Sequence, residues 1–92
     1  MIKVNEYLDG KIKSLGAESE GEYFTSGIML PGEYEFTTEK EEHIVVTLGV
    51  LNIRWANLDW KEVSKGETVI VPRNMKFQLK IEETVAYICY YK

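Results

Sequence analysis

In KFQLKI, Lys76 to Ile81, polar and apolar side chains alternate without a break. That is the pattern of a strand with one face in a core and the other in water. KIKSL, with Ile12 and Leu15, is a looser version nearer the start. HIVVTLGVLNIRW is a β-branched run interrupted by Gly49, which predicts two strands and a tight connection. Further punctuation falls at Gly10, Gly16, Gly21, Gly27, Pro31–Gly32, Asn57, Lys65–Gly66 and Pro72. No stretch carries a helical stripe of useful length, and TEKEEH has room for one turn at most. The chain is predicted to be all-β, a sandwich or barrel of many short strands.

Composition narrows what such a barrel could serve. With 92 residues the chain has room for one core, so residues 1–92 are expected to form a single domain. A domain this small buries a modest share of its surface, which favours association of copies. The net charge is −4, with two arginines, Arg54 and Arg73, and nine lysines scattered among acids. Nucleic acid is not an expected partner, because phosphate neutralisation needs clustered cations. Cys89 is the only cysteine; within VAYICYY it reads as a buried, inert thiol. MIKVNEYLDGK is charged and has no secretion-signal core, and no window is apolar enough to span a bilayer. A cytoplasmic protein with no membrane partner is expected.

Two phrases have recognisable spacing. In GEYEFTTEKEEHIVVTLG, Glu42 and Gly49 stand with six residues between them, and Phe36 and Thr38 occupy alternating positions upstream. In GETVIVPRNMKF, Gly66 and Pro72 are separated by five residues, and Asn74 and Phe77 follow. Together, in this order on an all-β chain, they resemble the two motifs of the cupin superfamily. The fold this implies is a cupin-like double-stranded β-helix or jelly-roll barrel. In metal-binding cupins, histidines would stand at Phe36, Thr38 and Phe77, and Glu42 would complete the set. Only Glu42 remains, too few ligands for a catalytic metal, and no metal is expected. His43 follows Glu42 directly and should point to the opposite face of its strand.

Alternation then proposes a barrel wall. If Phe36 and Thr38 face inward, Tyr34 does too, leaving Glu33, Glu35 and Thr37 outside. Phe77 carries Leu79 and Ile81 with it. On the closing strand, either Tyr87, Cys89 and Tyr91 or Ile88 and Tyr90 face inward, and a core cysteine favours the first set. Such residues suit a simple hydrophobic core with phenols at its rim. They equally suit a pocket for a flat, partly polar ligand.

The whole chain resembles a narrower family, the small bacterial pyrimidine/purine nucleoside phosphorylases. The resemblance runs through NEYLDGKIKSLG, PGEYEFTT, the Glu42–Gly49 spacing, Leu51–Asn52, Asp59–Trp60, KGETVIVP and the closing AYICYY. It implies reversible phosphorolysis of purine or pyrimidine nucleosides, giving free base and ribose 1-phosphate, with no metal or organic cofactor. Nucleosides and inorganic phosphate would be the partners. Together with small size and exposed strand edges, the resemblance leads to the expectation of a homodimer. In that frame Glu42 would be the catalytic carboxylate, stabilising positive charge that develops on the ribose. Tyr34, Phe36 and Phe77 would grip the base by stacking, and Tyr87 and Tyr91 would supply phenols to the substrate site. Thr38 joins them as a substrate-binding residue, and Thr38, backbone N–H groups of TTEKE, Arg73 and Lys76 are the phosphate candidates. Tyr90 stands where the resemblance leads one to expect a basic residue. A non-catalytic cupin that binds a nucleoside, base or sugar is the alternative from a different functional class.

Overall fold

The computed structural model describes residues 1–92 and contains ten strands. They are β1 (Lys3–Tyr7), β2 (Ile12–Ser19), β3 (Glu22–Met29), β4 (Gly32–Thr37) and β5 (Glu42–Leu48), then β6 (Val50–Trp55), β7 (Lys61–Ser64), β8 (Thr68–Val71), β9 (Lys76–Ile81) and β10 (Val85–Tyr91). Six form one sheet in the order β1-β2-β3-β10-β5-β8, and four form a second in the order β4-β9-β6-β7. Every pairing is antiparallel. From β3 onward the chain changes sheet at each connection except β6 to β7. That winding between two facing sheets is the all-β, cupin-like architecture expected from the two motifs. No helix is long and apolar enough to cross a membrane.

The inner faces meet in a core of sixteen buried hydrophobic residues. Val46, Leu51, Ile53, Val71 and Val85 are wholly inaccessible, and each such side chain is worth about 1.5–3 kcal/mol over an exposed one. Phe77, Leu79 and Ile81 on β9 are buried while Lys76 and Lys80 are exposed, as strict alternation requires. On β10, Val85, Tyr87 and Cys89 are buried, and Tyr91 faces the same side. The closing strand therefore presents the Tyr87–Cys89–Tyr91 set inward.

Gly49 is more than a spacer between two apolar runs. The chain leaves β5 in one sheet and enters β6 in the other there, with φ at +84°, a left-handed conformation natural to glycine. A Cβ at this position would lie 2.6 Å from the Thr84 carbonyl oxygen. The tight connection is thus a corner between sheets, packed against the link from β9 to β10. A second tight corner follows Pro72, which ends β8 as a residue without an N–H should. Asn74 there adopts φ +54°, a conformation asparagine tolerates better than most residues.

Candidate active site

A cavity of about 550 Å³ lies between the two sheets, within the range of small-molecule sites. Two aromatic groups form much of its wall, the first of them reaching across both sheets. Phe36 of β4 and Phe77 of β9 sit 6.0 Å apart between ring centres, and Tyr7 of β1 meets Phe36 edge-on at 5.7 Å. Across from them, Tyr23 of β3 and Tyr91 of β10 lie 5.4 Å apart. Ile12, Met29, Ile44 and Leu79 line the apolar remainder.

Glu42, the first residue of β5, brings a carboxylate into this apolar wall. It pairs across the sheet with Tyr91 and Val71, and its Oε1 accepts a hydrogen bond from the Cys89 thiol at 3.5 Å. Burial pushes the Glu42 carboxyl above its ordinary value of 4.5, against a smaller downward pull from that thiol. Burial also pushes Cys89 up, and the nearby Glu42 charge adds to it, so the thiol stays protonated and donates. The Tyr91 hydroxyl shares a hydrogen bond with Thr25 Oγ1 at 3.2 Å, and burial raises its pKa. Tyr87 is pushed up to about 12, first by burial and then by the neighbouring Cys89. Both phenols are therefore neutral donors at physiological pH.

Two glycines make room for this arrangement. A Cβ on Gly16 would fall 2.1 Å from the Tyr23 hydroxyl oxygen, and one on Gly27 would fall 2.7 Å from that of Tyr87. Neither is there to permit a left-handed turn; each leaves space for a phenol. Ser14, buried beside Tyr87, accepts a hydrogen bond from Asn5 Nδ2 at 3.2 Å. The opening stretch from Asn5 to Gly16 thus supports two of the cavity's tyrosines.

Glu42, Phe36, Phe77, Tyr87 and Tyr91 all reach the cavity. Four other candidates do not. Tyr34 is buried on the inner face of β4, but its hydroxyl donates to Leu30 O at 2.6 Å and Pro31 O at 3.2 Å. It braces the corner before β4, away from the cavity. Thr38 Oγ1 donates to Pro72 O at 2.6 Å and accepts from the Met75 N–H at 2.9 Å. Both sides of that hydroxyl are occupied in clasping the corner between β8 and β9, so a substrate has no access to it. Lys76 points to the outer face, 4.0 Å from Glu35, and Arg73 is exposed on the Pro72–Met75 turn, apart from the cavity lining. Neither lines the cavity.

Sequence reasoning missed Tyr7, Glu18, Tyr23, Thr37, Glu39 and Lys40, all of which line the cavity. Thr37 faces away from Phe36 but ends its strand at the mouth. Tyr7, Glu18 and Tyr23 arrive from β1 to β3, and no local pattern in the sequence marks them. His43 points away from the cavity, as expected, and its Nε2 pairs with Glu41 Oε2 at 2.7 Å. No group of three or more His, Cys, Asp or Glu side chains is arranged to hold a metal ion.

The profile of the pyrimidine/purine nucleoside phosphorylase family matches residues 2–91. The chain belongs to this family. Proteins named pyrimidine/purine nucleoside phosphorylase from Tolumonas auensis and Pseudomonas aeruginosa are 43% and 42% identical to it, each over the full length of both chains. A crystal structure of a Vibrio parahaemolyticus protein of unknown function superposes with a TM-score of 0.96 at 39% identity, covering 100% of this chain and 99% of that one. A cupin-2 domain protein from Shewanella frigidimarina shares the fold at a TM-score of 0.69 and 18% identity, over 80% of this chain and 72% of its own. In this member of the phosphorylase family, the cupin ligand positions hold three different things. Phe36 and Phe77 are cavity wall, Thr38 is a clasp, and Glu42 alone of the four places an ionisable group in the cavity.

Proposed function

We propose that the protein is a broad-specificity nucleoside phosphorylase that works reversibly and without a metal. The observation that carries this reading is the Glu42 carboxylate, set in an aromatic cavity of about 550 Å³ beside neutral phenols. In phosphorolysis a phosphate oxygen bonds to C1′ of the ribose as the C1′–N bond breaks. The bonding pair leaves with the base, which takes up the proton that phosphate gives up. Positive charge builds on the ribose between these events, and an ionised Glu42 stabilises it. Tyr87 and Tyr91 are donors suited to the base as its electron density rises.

Loose base selectivity fits a wall of rings. Phe36, Phe77, Tyr23 and Tyr91 offer stacking faces, and every base has a π-face. No amide side chain lines the cavity to read one base over another. Metal independence is supported by the donor set, in which aromatic rings stand at two of the cupin ligand positions. A lone free thiol is in keeping with a cytoplasmic enzyme.

The test is release of free base from adenosine and uridine by purified protein, with and without phosphate and with and without a chelator. The reading requires release that depends on phosphate and survives chelation, from both nucleosides. Equal release without phosphate would make the enzyme a hydrolase. Ligand-dependent thermal stabilisation with no turnover would make it a binding protein.

A homodimer belongs to the same proposal. The outer face of the six-stranded sheet carries Val4, Leu15, Ile28 and Ile70, at 70%, 52%, 53% and 50% exposure. Val45 and Ile88 lie between them as cross-strand partners. An apolar face of this breadth favours a second copy of the same chain, face to face about a two-fold axis. Sedimentation should give twice the chain mass, and Ile28→Lys should give a folded monomer. A wild-type monomer at micromolar concentration would remove the dimer from the account.

A further inference from the structure

A dianionic co-substrate faces an electrostatic obstacle at this cavity. Glu18, Glu39 and Glu42 all line it, and like charges in a partly desolvated mouth repel more strongly than in open water. Some cation must offset them if an anion is to enter. The chain has eleven basic side chains, and only Lys40 reaches the cavity. Elsewhere, Lys13 pairs with Glu6, Lys76 with Glu35 and Lys92 with Glu22. Arg54 and Lys80 lie over the Trp60 ring, and Lys61 lies over Trp55.

Lys40 itself takes part in no ion pair. Its neighbour Glu41 is engaged with His43 instead. Lys40 sits on the bend between β4 and β5, two residues before Glu42, and Thr37 at the end of β4 shares the same rim. This places an unpaired ammonium and a hydroxyl donor at the entrance, with the carboxylate on the strand that follows. An anion held at the rim can then meet a sugar whose developing positive charge faces Glu42.

We propose that Lys40 is the phosphate-binding cation of this site, with the Thr37 hydroxyl as a second donor, an assignment that rests on the phosphorolysis reading. Lys40 is exposed, so its replacement leaves the core intact. Lys40→Met should raise KM for phosphate at least tenfold and leave KM for the nucleoside unchanged. Lys40→Arg, which keeps the charge, should restore most of the loss. An unchanged phosphate KM in Lys40→Met, or an equal rise in both KM values, would overturn the assignment.

A second measurement needs no turnover. Inorganic phosphate should raise the unfolding temperature of the wild type above that in chloride of equal ionic strength. The shift should vanish in Lys40→Met and persist in Lys40→Arg. If it does so while base release proves independent of phosphate, the phosphorolysis reading fails and the anion site stands. No phosphate-specific shift in the wild type, or an undiminished one in Lys40→Met, overturns the site itself.

Discussion

Glu42→Gln should lower kcat for phosphate-dependent base release on the order of a hundredfold, the usual scale for removing one preorganised electrostatic group, while raising thermal stability at neutral pH. The two effects have one cause. Burial raises the Glu42 carboxyl above 4.5, so the folded chain holds this proton more tightly than the unfolded chain does. The stabilising contribution of the neutral form is complete below the unfolded value and is lost as pH rises through the folded one. Above the unfolded value that contribution is progressively lost, and glutamine, which never ionises, avoids the loss while its Oε1 can still accept from Cys89. Activity runs the opposite way: kcat should climb with pH as Glu42 ionises, and the variant should lose that limb of the profile. Unchanged kcat, or a lower unfolding temperature in the variant at neutral pH, would contradict this assignment.

Gly49→Ala should destabilise the fold by about 3 kcal/mol or more, since a left-handed alanine alone costs roughly 1–2 kcal/mol. The remainder comes from the new methyl, 2.6 Å from the Thr84 carbonyl, which forces one sheet corner away from another. For a domain of this size such a loss lowers the unfolding midpoint by more than about 10 °C. Gly66→Ala is the control. Gly66 has φ at +88°, yet nothing lies within 4 Å of the added Cβ. Its substitution should cost only the backbone part, about 1–2 kcal/mol. Urea unfolding of both variants separates the terms. Equal losses would mean that backbone conformation, and not the contact with Thr84, makes Gly49 necessary.

Much of the fold was legible because strand periodicity is a local property. KFQLKI declares which side chains face in, and the structure follows it residue by residue. VAYICYY is apolar throughout and left two faces open, of which the structure turns Tyr87, Cys89 and Tyr91 inward, the set a core cysteine favours. The run around Gly49 announced two strands, but not that they belong to different sheets, which depends on pairings with β8, β9 and β10. The site was legible to a smaller extent for a related reason. Alternation fixes the face a residue points to, but not its depth along the barrel or the use its polar atoms find there. Tyr34 and Thr38 are on the expected face, yet backbone carbonyls at nearby corners claim their hydroxyls. Lys40 was hidden among the acids of its bend, where a charged run reads as solvated loop. Gly16 and Gly27 looked like turn markers because the sequence does not distinguish a glycine needed for φ from one needed for space.

The central claim is that phosphate, and not water, takes the ribose. ³¹P NMR of the purified protein with inosine and limiting inorganic phosphate follows that transfer directly. The account predicts a sugar-phosphate resonance growing in step with free base, with an equal loss of inorganic phosphate and a reversal when excess base is added. Base accumulating beside free ribose, with the inorganic phosphate signal unchanged, would contradict it.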